Sequence, residues 1–173
     1  WVAEGAYVPG IVRPAAFLLP PNIAVYGGFE ANETSRDERN ATAHPTILSG
    51  DLGVIDDNTD NAYHVVIPAE GSTLDGFTIS DGNASENFSN DDRGQGGGLW
   101  ADGVTFTVAN CSFTGNYAYQ EGGAVHLKDA NGTFTHCVFT NNLTGSTGDG
   151  GALDANNSSV TMSSCTFTGN QAY

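Results

Sequence analysis

An all-β fold, a right-handed parallel β-helix solenoid with three short strands per coil, is what this sequence predicts, from three features. One phrase recurs as "CSFTGN" from Cys111, "CVFTNN" from Cys137 and "CTFTGN" from Cys165. Each copy follows a double glycine, a small residue and an aliphatic one: "GGGL" from Gly96, "GGAV" from Gly122 and "GGAL" from Gly150. Counted from the first Gly, the Cys falls at +15, the Phe at +17 and the Asn at +20, while the copies start 26 and 28 residues apart. A fixed stretch followed by an elastic one means one structural unit per copy with a free loop between units, which is the mark of a solenoid.

Each strand follows from residue types. The first carries apolar residues at +3 and +5 (Leu99/Ala101, Val125/Leu127, Leu153/Ala155). The second carries them at +10 and +12, as Phe106/Val108, Gly132/Phe134 and Val160/Met162, with a glycine standing in once. The third holds the Cys and the Phe. Spacing by two is strand alternation, and no helical period of useful length competes with it. Gly, Asn and Asp between the strands are turn residues. Stacked coils pair each strand in parallel with its copy about 4.8 Å away, and the general rule for parallel crossovers makes the coil right-handed.

The repeated phrase then has a physical task. Phe113, Phe139 and Phe167 stack into an aromatic column, and Asn116, Asn142 and Asn170 form an amide ladder that closes the strand. Cys111, Cys137 and Cys165 are small buried residues beside it. Cβ atoms one rung apart stand somewhat beyond the roughly 3.5–4.5 Å that a disulfide needs, and three is an odd number. Buried free thiols are expected rather than a bridge, so the cysteines do not indicate a redox compartment.

The 173 residues make a single β-helix domain over 1–173, with less regular coils or a cap over 1–73 and regular coils over 74–173. The interval from Phe77 to Phe113 is 36 residues, about ten longer than later copies, because "SENFSNDDRGQG" adds a loop at one corner. Such loops are where solenoids usually carry recognition. The sequence starts without Met or a signal peptide, and after Asn170 only Gln171-Ala172-Tyr173 remain before the next double glycine is due. It reads as a segment whose partners are further β-helix coils or identical subunits stacked end to end.

The pairing of GGA-aliphatic with Phe-x-x-Asn resembles the repeat of chlamydial polymorphic outer membrane proteins and related secreted, pectin-lyase-like bacterial surface β-helix proteins. The matching stretches are Gly122-Gly123-Ala124-Val125 with Phe139 to Asn142, Gly150-Gly151-Ala152-Leu153 with Phe167 to Asn170, and a looser copy at Gly96 with Phe113 to Asn116. The stretches "WVAEGAYVP", "VYGGFEANET", "TILSGDLG" and "LDGFTISDG" are similar to the opening of many such secreted proteins. The resemblance implies this fold and an extracellular or cell-surface role in display, adhesion or scaffolding. It carries over no catalytic residue, and no barrel anchor is present to imply attachment to an outer membrane.

Twenty acidic residues against five basic ones give a net charge of −15. Such a surface repels phosphate backbones and anionic lipid, so nucleic acid is not expected as a partner. No apolar run approaches the roughly 20 residues of a membrane span, so membrane insertion is not expected.

Nine N-x-S/T sequons occur, at Asn32, Asn40, Asn83, Asn87, Asn110, Asn131, Asn142, Asn156 and Asn157. Asn142 belongs to the ladder and is expected to be inaccessible, and adjacent Asn156 and Asn157 can hardly both be used. β-Helix turns favour Asn, Ser and Thr in any case; the other reading is a glycosylated extracellular protein whose sequons mark surface loops.

A carbohydrate-active enzyme, a polysaccharide lyase or glycoside hydrolase, is the competing class, since the same fold hosts both and fold alone settles nothing. Position +4 places Trp100, His126 and Asp154 on successive rungs of an outward row, and +6 places Asp102, Lys128 and Asn156. Trp stacking beside His, Lys and two carboxylates sketches a sugar site around Trp100, Asp102, His126, Lys128 and Asp154. A uronate lyase also needs a cation to neutralise its substrate, and only Lys128 is at hand. A solvated outer row filled by chance is the favoured reading. No cofactor and no metal set is expected: His44, His64 and His136 lack partners at ligand spacing, and "GGFE" and "GQGGG" are not phosphate loops. Asp91 and Asp92, like Asp56, Asp57 and Asp60 in "DDNTD", offer at most weak surface Ca2+ binding. The sequence thus supports a non-enzymatic structural or adhesive module of a cell-surface protein or fibre, with carbohydrate or a host or cell surface as partner.

Overall fold

The computed structural model describes residues 1–87, 92–146 and 148–173. The chain winds as a parallel β-helix. Its first coil supplies β1 (Gly5–Tyr7), β2 (Phe17–Leu18) and β3 (Ala24–Tyr26), and its second β4 (Thr46–Ser49), β5 (Val66–Ile67) and β6 (Ser72–Asp75). The next three coils each supply four strands. These are β7 (Phe77–Ser80), β8 (Asn83–Ala84), β9 (Leu99–Asp102) and β10 (Thr105–Ala109); β11 (Ser112–Thr114), β12 (Tyr117–Ala118), β13 (Val125–Lys128) and β14 (Asn131–Thr135); and β15 (Val138–Thr140), β16 (Leu143–Thr144), β17 (Leu153–Asn156) and β18 (Ser159–Ser163). β19 (Thr166–Thr168) opens a last turn.

Three long walls result: a six-stranded sheet β1-β4-β7-β11-β15-β19, and five-stranded sheets β2-β5-β9-β13-β17 and β3-β6-β10-β14-β18. A fourth, three-stranded ladder, β8-β12-β16, adds to the three expected per coil. Its strands are two residues long, too short for alternation to register in sequence. They form because the Asn ladder beside them holds successive coils in register.

Corners fall at matching positions in each coil. Gly103, Asp129 and Asn157 share one left-handed position, Asn110, His136 and Ser164 a second, and Gly115, Asn141 and Gly169 a third. Asn and Asp tolerate that conformation better than other residues with a side chain. His136 is therefore a corner residue.

The core is a set of vertical rows. Val66, Leu99 and Val125, then Leu74, Val108 and Phe134, and Ile79, Phe113 and Phe139 are all buried and in register. Gly132 fits its apolar row because a Cβ there would meet the rings of Phe106 and Phe134 at 3.1 and 2.9 Å. Those two rings pack edge to face, 5.8 Å apart. The register corrects one sequence interval. Phe113 lies over Ile79, 34 residues back, while Phe77 belongs to the cysteine row, its N–H facing Cys111 Sγ at 3.4 Å. The corner insertion between β8 and β9 is correspondingly shorter than about ten residues.

Candidate functional site

The repeated rows make a continuous ladder. Phe113, Phe139 and Phe167 stack with centroids 5.0 and 4.8 Å apart, nearly coplanar. Asn142 shows how the amides are used. Its Oδ1 accepts from Asn116 N and Nδ2 at 3.1 and 3.0 Å, while its Nδ2 donates to Phe113 O at 3.0 Å and to Asn170 Oδ1 at 2.8 Å. Asn116 and Asn170 repeat the backbone contact, to Ile79 O and Phe139 O. A fully buried amide with this many partners fixes register, because a slip leaves every one unmet.

The cysteines are free thiols. Their sulfurs face carbonyls of the preceding strand and of the coil before, Cys137 Sγ lying 3.5 Å from Thr135 O and 3.6 Å from Val108 O. Burial pushes the Cys137 thiol up to about 11 and that of Cys111 higher still, so both stay protonated and unreactive at neutral pH.

The sugar-site candidates share a wall and do not share an environment. Trp100, His126 and Asp154 are in register on β9, β13 and β17, as are Asp102, Lys128 and Asn156. Asp102 and Lys128 form an exposed ion pair at 3.6 Å. Trp100 stacks on His64 at 5.7 Å, and its Nε1 is buried without a hydrogen-bond partner. The solvated outer row is overturned at its centre: His126 is only 1% exposed. The double glycine causes this burial. Gly122 has a left-handed φ of 64°, and a Cβ on it would meet Val125 O at 2.2 Å and His126 Cα at 3.0 Å. Only glycine lets the corner fold back over the strand that follows.

That fold-back delivers a residue the sequence reading missed. Glu121 places Oε2 3.7 Å from His126 Nδ1, and Asp154 places Oδ2 3.1 Å from the same nitrogen. Gln95 Nε2, from the coil before, donates to Glu121 Oε2 at 3.1 Å. A polar residue precedes the double glycine of each of the three repeats, as Gln95, Glu121 and Asp149, and Glu121 bridges in parallel to both of the others. That position in the repeat was the available signal.

The remaining candidates fall elsewhere. Among the sequons Asn83 and Asn142 are buried, whereas Asn32, Asn40, Asn87, Asn110, Asn131, Asn156 and Asn157 are exposed. Asn83 Nδ2 is used internally, donating to Asn58 O. The acidic turn caps itself: Asp57 accepts from Thr59 N and Oγ1, which holds its carboxyl below the ordinary range, and Asp60 accepts from Val54 N. Asp56, with Asp51, Asn58, Asn61 and Asp81, lines a polar cleft of about 210 Å³. Asp92 opens a 3-10 turn ending at Gly94, and Asp91 lies outside the described residues. His44 pairs with Glu4 at 2.9 Å. Among the described residues no helix is long and apolar enough to cross a membrane.

A family model described as a right handed beta helix region matches residues 49–173. No curated protein and no solved structure matches the chain. With parallel coils through that whole span and a matched stretch covering well over half the sequence, the chain belongs to the right-handed β-helix family.

Proposed function

We propose that this β-helix is a non-enzymatic structural or adhesive module of an extracellular or cell-surface protein. The observation that carries the reading is how the conserved-in-repeat side chains are spent: Phe, Asn and Cys all turn inward or into the ladder and join one coil to the next. The sugar-site candidates are instead turned to neighbours in the protein: Lys128 pairs with Asp102, Trp100 stacks on His64, and His126 is buried beside Glu121. The likeness of the Gly-Gly-Ala and Phe-x-x-Asn phrases to chlamydial surface proteins supports the same role. Seven exposed sequon asparagines, five at corners and loops and two at strand ends (Asn131 and Asn156), offer glycan positions, and further coils or identical subunits are the expected stacking partners.

The competing reading is a polysaccharide lyase or glycoside hydrolase. Incubation with pectin, alginate and related uronates separates the two, with ultraviolet absorbance reporting unsaturated product and a reducing-sugar assay reporting hydrolysis. No product is expected from any of them. Turnover lost on Asp154→Asn would replace the structural reading with the enzymatic one.

A further inference from the structure

We propose that Glu121, His126 and Asp154 form a binding site for one divalent cation of the zinc class, riveting successive coils together. His126 is 1% exposed, yet its Nδ1 makes no hydrogen bond. The 3.1 Å to Asp154 Oδ2 suits a hydrogen bond in length and fails in direction. A buried nitrogen left without a partner costs free energy, and two carboxylates turned on one spot repel each other. A cation answers both faults, and the strongly acidic chain adds to its attraction.

The three donor atoms lie within 4.8 Å of one another. Ligands of tetrahedral zinc at bond lengths of about 2.0–2.1 Å stand about 3.3–3.4 Å apart, so small side-chain rotations close the set. An imidazole nitrogen selects zinc, nickel or copper over calcium and magnesium, which prefer oxygen alone. Three protein donors leave room for water on the ion. The hydrogen bond from Gln95 to Glu121 orients one carboxylate from the coil before. Glu121 and His126 come from one coil and Asp154 from the next, so the ion bridges β13 and β17.

The test uses the full chain, stripped with a chelator and titrated with Zn2+ by calorimetry while histidine ring signals are followed by NMR. One equivalent should bind, the His126 ring signals should move, and the melting temperature should rise. Glu121→Gln and Asp154→Asn should each weaken binding about tenfold or more. Both carboxylates are partly exposed, at 34% and 23%, so these variants keep the fold where His126→Ala risks it. No binding at all, binding unchanged in both variants, or Zn2+ uptake that leaves the His126 signals in place overturns the site. Equal competition by Ca2+ overturns the zinc class.

Discussion

The three repeated coils and the two before them are held together in different directions. In the repeated coils the wall of β11, β15 and β19 adds vertical cohesion of like residue on like: ring on ring from Phe113 to Phe167, and amide to amide from Asn116 to Asn170. In the earlier coils the rows are mixed, Tyr7 under Leu48 under Ile79, and no ladder can form. Long connections there are held laterally by arginines. Arg13 donates to Asn61 O, Asn83 O and Ser85 Oγ, each at 2.8 Å, and lies over the Tyr63 ring. Arg39 pairs with Asp75 at 2.8 Å and donates to Gly27 O and Asp75 O. All four arginines lie in the first 93 residues. Identical planar groups gain most when stacked at strand spacing, whereas an unlike corner needs a long side chain with several donors.

Breaking the vertical order should cost most. Phe139→Ala removes a fully buried ring from between two others and should destabilise by about 3–5 kcal/mol in urea unfolding. Trp1→Ala, which removes an exposed ring from the stack on Phe29, should cost less than about 1.5 kcal/mol. A similar loss in both would erase the distinction. Asn142→Ala leaves partners on both neighbouring rungs unmet and should cost about 2–4 kcal/mol. Arg39→Met should cost about 1–3 kcal/mol and act locally. Hydrogen exchange should quicken between residues 27 and 46 and stay unchanged beyond β9; uniform acceleration would contradict lateral anchoring.

The smallest effects lie in pH, and the two regions should respond in different windows. Cys137 is held at about 11 against an ordinary 9.0 by burial, and Cys111 is shifted the same way. The folded chain keeps protons that the unfolded chain releases. This contribution is therefore whole below about pH 9 and falls as pH rises toward 11. Cys137→Ala should flatten that alkaline decline in the urea midpoint. The hydrogen bond to Glu4 raises His44, so their pair stabilises the first coils below the ordinary 6.5 and is lost as pH rises through the folded value. Exchange at β1 and β4 should quicken there while the repeated coils stay unmoved.

What could be read from sequence follows from what repeats. The positions of Phe113, Phe139 and Phe167, and of the Gly, Cys and Asn around them, disclosed the coil and its inward rows, because strand alternation and a fixed register leave one way to stack them. The row through Phe77 was misplaced by two residues for the same reason: without the Cys and Asn beside it, a lone Phe marks no column. The fold alone decided the burial of His126. A row that alternation turns outward is taken to be wet, and the glycine corners at Gly122, lying back across β13, and at Gly96, from the coil before, cover it. The Gly122 corner carries Glu121 to His126, five residues on, while strand pairing supplies Asp154 from the next coil. Periodicity fixes which residues lie above one another, but how far a turn folds back across its own strand is a matter of backbone path and close approach, and three-dimensional packing sets that.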